Sequence, residues 1–111
     1  MASDGNTTLD PIESDLARDD PSFTDLVLEF VEGLSERLSD MDRRLSAGDF
    51  KALQVAAHQL KGTGGGYGYP SITERAAELE QHAKERVAGG CEDALHELKK
   101  LCERVVVRAD G

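Results

Sequence analysis

His58, Lys61 and Gly62 stand in the stretch "AHQLKGTGGGYG", residues 57–68, where five glycines fall within the seven positions Gly62 to Gly68. On a helix, a lysine three residues after a histidine lies one turn away on the same side. An imidazole open to solvent is mostly neutral near pH 7, and the neutral ring is nucleophilic. Phosphorylating such a ring creates an anion, and Lys61 stands within reach to give it charge-assisted hydrogen bonds. Glycine costs roughly 1 kcal/mol against alanine inside a helix. The cluster therefore either ends the helix or leaves the backbone bare for something that approaches closely. At Gly62, beside His58, the missing Cβ lets another protein's active site close over the imidazole.

The helix that carries the histidine decides where it points. At about 100° per residue, Phe50, Leu53, Ala57, Leu60 and Gly64 fall within an arc of about 80°, which marks the buried face. His58 lies roughly 120° from the centre of that arc, on an exposed flank. Its neighbours one turn before are Gln54 and Val55, and one turn after are Lys61 and Gly62, with Gly65 continuing the same side. The surface around the ring is thus a cation, an amide, one apolar side chain and bare backbone.

The other elements follow from periodicity. Asp10, Pro11 and Glu13 read as cap, first position and first turn of a short accessory helix that carries Ile12 and Leu16 inward. Ser22 with Asp25 resembles a capping box before a long amphipathic helix with Phe23, Leu26, Val27, Phe30, Leu34, Leu38, Met41 and Leu45 on its stripe. Gly48 suits a C-terminal cap and Asp49 the cap of the histidine's helix. Ser71 and Glu74 form a capping-box pattern for the third main helix, with Ile72, Ala76, Leu79, Ala83 and Val87 inward. Ala88 to Gly90 read as its break. The fourth presents Cys91, Ala94, Leu95, Leu98, Leu101, Cys102 and Val105. Its early acids, Glu92 and Asp93, and later bases, Lys99, Lys100, Arg104 and Arg108, suit the helix dipole. No segment alternates like a strand for long. Residues 1–9 read as a frayed end and 10–111 as one all-α domain. Short connections favour an antiparallel up-down-up-down four-helix bundle with a short N-terminal accessory helix.

Composition narrows the function. The formal net charge of -9 and the absence of tryptophan argue against nucleic acid and anionic membrane as partners. No apolar run reaches the roughly 18 residues of a membrane span, and the acidic N-terminus is no secretory signal, so a cytoplasmic protein is expected. Cys91 and Cys102, on one helix, would be roughly 16 Å apart, too far for a disulfide, and read as buried reduced thiols. His82 and His96 have no carboxylate or cysteine at ligand spacing, and no metal site is expected. Tyr67 and Tyr69 read as packing the turn between helices. No GxxxxGK[ST] occurs, and counted from Gly62 a GxGxxG fails at Tyr67.

The run "AAHQLKGTGGGYG", with its H-x-x-K-G core, and "AAELE" in the next helix resemble the histidine-phosphotransfer (HPt) domains of bacterial phosphorelays. The resemblance covers roughly Phe23 to Val106, including the number and order of helices. It implies a four-helix bundle whose His58 accepts phosphoryl from a receiver-domain aspartate and passes it to another receiver. It also implies Lys61 as phosphate partner, and partners among the receivers of response regulators and hybrid sensor kinases. Mg²⁺ would belong to the receiver's acidic pocket, so no cofactor of the chain's own is implied, and the carrier would be a monomer rather than an ATP-using kinase. The glycine density at Gly64 to Gly66 departs from the alanine or other small residues many members carry there, which leaves open where the histidine's helix ends. Two other readings are a helical interaction module without phosphotransfer and a helical enzyme using His58 as a base. The first has no need of His58, Lys61 and Gly62 together. The second has only Gln54 and Lys61 nearby to complete a site.

Overall fold

The structure is a computed structural model that describes residues 10–107. The expected frayed stretch over residues 1–9, and Arg108, lie outside the described residues. The long first helix of the sequence is two helices, α2 (Thr24–Glu32) and α3 (Leu34–Ser46), interrupted at Gly33. The Gly33 N–H is shared between the carbonyls of Glu29 and Phe30, at 3.2 and 3.1 Å. Such sharing loosens the regular ladder where glycine makes distortion cheap. Val27, Phe30, Leu34, Leu38 and Met41 are buried across the break, whereas Leu26, expected inward, is half exposed. The Ser22 box does not form. Asp20 is the cap instead, and its carboxylate accepts from the Ser22 N–H at 3.1 Å and hydroxyl at 2.7 Å. Pro21 then opens a single 3-10 turn, Pro21–Phe23, because proline fits a first helical position after an aspartate cap.

The α3–α4 corner is as expected. Gly48 takes φ +71, and the Asp49 carboxylate accepts from the Ala52 N–H that opens α4 (Phe50–Gly66). This helix runs on through the glycine cluster. Its connection to α5 (Pro70–Lys84) turns at Gly68, φ +92. Pro70 starts α5 earlier than the Ser71–Glu74 box would, with Tyr69 as a cap without a side-chain bond. Tyr67 stacks on Phe30, ring centroids 4.8 Å apart, and the wholly buried Tyr69 donates its hydroxyl to the Val106 carbonyl at 2.7 Å. Burial, aided by the Glu13 charge, pushes that phenol up to about 12, so it stays a donor.

After α5 the chain reverses at Arg86, φ 59, and Ala88 to Gly90 begin α6 (Ala88–Cys102) instead of breaking a helix. Val87 caps α6 and is exposed, not part of the α5 stripe, and Glu92 and Asp93 fall beyond the first turn. Gly90 lies against the His82 ring, where a Cβ would collide. Two short strands were not foreseen. Ile12–Glu13 (β1) pairs in parallel with Val105–Val106 (β2), so Val105 is buried from a strand. The accessory helix is consequently displaced to α1 (Asp15–Asp19), capped by Ser14 rather than Asp10. Ser14 Oγ accepts from the Ala17 N–H at 3.0 Å and donates to the Tyr67 carbonyl at 2.6 Å, a tertiary bond no local pattern encodes.

The helices α4 and α5 pack closely on each other, α5 packs on α6, and α3 touches both α4 and α6. Leu34, Leu60, Leu79 and Leu98 are buried at their centre. Truncating Leu60 or Leu79 to alanine is expected to cost about 2–5 kcal/mol, the range for leucines removed from packed cores. Urea denaturation followed by circular dichroism measures it.

Candidate functional site

Packing of α4 on α5 brings the site together. Gly64 is buried at the contact, and a Cβ there would stand 2.7 Å from Ile72 Cγ2 and 3.0 Å from Ile72 Cβ. A glycine at this point lets the two helices approach, and the approach carries the flank of α4 against the flank of α5. Thr73 Oγ1 donates to the Lys61 carbonyl at 2.6 Å, fixing the stagger between them. Two turns along α5 from Thr73, Glu80 reaches the histidine. Its Oε2 is 2.9 Å from His58 Nδ1 and its Oε1 is 2.7 Å from Lys61 Nζ.

The protonation pattern follows from the charges. Lys61, and to a lesser degree His58, hold the Glu80 carboxyl below its ordinary range against the opposing effect of desolvation. An ionised carboxylate only accepts, so the hydrogen between Oε2 and Nδ1 belongs to the ring. The neutral imidazole then carries its lone pair on Nε2, and the side chain is 66% exposed. The result is a nucleophilic nitrogen open to solvent, backed by a carboxylate able to stabilise positive charge that develops on the ring.

The remaining predicted residues surround this ring. Val55 is exposed and Gln54 half-buried on the preceding turn. Beyond the local backbone of α4, nothing among the described residues lies within 4 Å of where a Gly62 Cβ would stand, so that side of the ring is open. Gly65 is exposed too, but a Cβ there would meet Thr73 Oγ1 at 3.0 Å, so its smallness also serves the helix contact. His82 lies apart from the site, with Nδ1 buried and unpaired among the described residues. The sequence reading missed Glu80. A helical wheel lists only neighbours on the same helix, and Glu80 lies 22 residues away. Its one signal was its place in "AAELE", one residue after a buried leucine.

The whole of α4 contains no aspartate or glutamate, in a chain with 22 of them. The helix itself therefore adds no negative charge around His58, and the carboxylate at the ring comes from Glu80 on α5. The sequence model of the Hpt domain matches residues 25–107. The chain belongs to the Hpt domain family. Hpt domains are phosphotransfer modules rather than kinases, and their family context is the receiver domains of phosphorelays. The matched span holds His58, Lys61 and Glu80 and ends at the foot of β2. In this Hpt domain β1 and α1 precede the match, and α1 is fastened to the α4–α5 turn through Ser14. No helix among the described residues is long and apolar enough to cross a membrane. No curated protein and no solved structure matches the chain.

Proposed function

We propose that this Hpt domain is a phosphoryl carrier in a two-component phosphorelay, with His58 as acceptor. The observation that carries the reading is the exposed imidazole whose Nδ1 is bonded to Glu80, which leaves the Nε2 lone pair facing outward. In the reaction, that lone pair attacks the phosphorus of a receiver's aspartyl phosphate and the carboxylate oxygen leaves. Glu80 stabilises the charge that builds on the ring. Lys61 exchanges its contact with Glu80 for the phosphoryl oxygens. Gln54, Val55, Gly62 and Gly65 form the surface on which the receiver sits, whether it belongs to a response regulator or a hybrid sensor kinase. The scaffold is an up-down-up-down bundle of four helices acting as a cytoplasmic monomer. It needs no metal or cofactor of its own and no nucleic-acid or membrane contact.

Incubation with a phosphorylated receiver and Mg²⁺, followed by mapping under non-acidic conditions, should place phosphate on His58 alone. The bond should be lost in mild acid and survive base, as a phosphoramidate does and an acyl phosphate does not. Phosphate on His82 or His96 would remove His58 as the acceptor, and no transfer from any receiver of the source organism would favour the interaction-module reading instead.

Gly62 supplies a second test. Its Cβ position is empty and exposed, so Gly62→Gln should leave the fold intact and stabilise α4 by up to about 1 kcal/mol. The new side chain would stand one turn from His58 and hold the receiver off. Transfer is expected to slow by about 10–100-fold, since small displacements of reacting groups cost that much. Thermal denaturation and single-turnover transfer kinetics read the two effects separately. An unchanged rate would make the glycine incidental.

A further inference from the structure

The ring nitrogen that the protein holds is the one that does not react. We propose that Glu80 keeps the Nδ1 proton on the ring after His58 is phosphorylated, and thereby sets how fast the phosphoryl group leaves. The inference rests on the phosphocarrier reading and concerns its second half, departure rather than arrival.

When the phosphoryl group leaves, an oxygen of the acceptor, carboxylate or water, forms the new O–P bond with its own electron pair. The Nε2–P bond breaks and its pair returns to Nε2. With a proton on Nδ1 the leaving group is neutral imidazole. Without it, the leaving group is the imidazolate anion, a far stronger base, and the N–P bond persists. For water as acceptor, the spare proton passes to solvent. No further reactant is required.

Among the described residues, Glu80 from α5 is bonded to the ring, and Lys61, one turn along the ring's own helix, is bonded to the same carboxylate. Lys84, exposed, stands one turn beyond Glu80 on α5. The carboxylate favours the Nδ1 proton and the lysine opposes it, and Glu80 prevails because it is bonded to that proton directly. Its two oxygens also connect the two effects. Once Lys61 turns to the phosphoryl oxygens, Oε1 loses its cation and the carboxylate charge bears more fully on Nδ1–H. Capture of the phosphoryl group by Lys61 therefore tightens the hold on the proton that its release requires.

Phosphoramidate, a chemical donor, can label the full chain without a receiver. The His58 signal is then followed by phosphorus NMR, with His58→Ala as the blank. Loss should slow as pH rises through a midpoint. Glu80→Gln, nearly isosteric, should move that midpoint down by about one pH unit, the lower end of the effect of a nearby opposite charge. Loss at about pH 8 then becomes roughly tenfold slower, while at about pH 4, where both rings are protonated, the rates coincide. Lys61→Met should move the midpoint up, and it keeps the test intact if Glu80→Gln proves unstable by circular dichroism. Superimposable wild-type and Glu80→Gln profiles, a slowing equal at every pH, or a downward shift in Lys61→Met would each overturn the proposal. Failure of receivers to label His58 would instead remove the phosphorelay reading and leave this chemistry standing.

Discussion

Replacing His58 with alanine is expected to reduce phosphoryl labelling from a phosphorylated receiver to background while leaving the fold in place. The effect on transfer is all or none, because no other side chain at the site offers a neutral nitrogen lone pair: Lys61 is held as an ammonium against Glu80 at 2.7 Å. The effect on stability is small. His58 is 66% exposed, and its loss leaves Glu80 bonded to Lys61, so no buried charge is stranded. Surface substitutions of that kind fall within about 0.5 kcal/mol. Labelling under non-acidic conditions, with a thermal melt of the same sample, gives both numbers. Undiminished labelling of His58→Ala would end the assignment of this site.

Gly68→Ala is expected to be the most damaging single-methyl change in the molecule. The residue takes φ +92, where a side chain costs roughly 1–2 kcal/mol. Its Cβ would also run into the start of α1, against Ser14 Oγ, the Leu16 amide nitrogen and, at 2.8 Å, the Asp15 amide nitrogen. Two of these are backbone atoms that no rotamer change can move. One of them, the Asp15 N–H, donates to the Gly68 carbonyl at 2.8 Å, so relieving the clash breaks that bond. Overpacking adds about 1–3 kcal/mol, and the total should reach about 2–5 kcal/mol. Urea denaturation measures it, with Gly62→Gln as the control glycine. A Gly68→Ala protein as stable as the wild type would show that α1 does not dock on the α4–α5 turn as described.

These two glycines separate what spacing can and cannot reveal. Within one helix, 3.6 residues per turn fix who neighbours whom. The exposed flank of His58, its company with Lys61, Gly62 and Val55, and the buried stripe of Leu53, Ala57, Leu60 and Gly64 were therefore legible from residue order alone. So was the corner at Gly48 and Asp49, where the cap bond spans three residues. Caps with a competing neighbour were not. Pro70 and Asp20 displaced the starts expected at Ser71 and Ser22, and the β1–β2 pair, joining residues 93 positions apart, moved the accessory helix to Ser14. Five glycines within seven positions also read equally well as a loop or as a helix. Contact with α5 resolved them, since Gly64 against Ile72 and Gly65 against Thr73 make bare backbone the better-packed choice. Glu80 belongs to the same class. Which carboxylate meets Nδ1 depends on the rotation and stagger of α5 against α4, and those are set by side-chain interlock between helices. The sequence determined the face on which His58 stands because intrahelical distances are fixed by the backbone. Only the tertiary structure decided which nitrogen of the His58 ring is free.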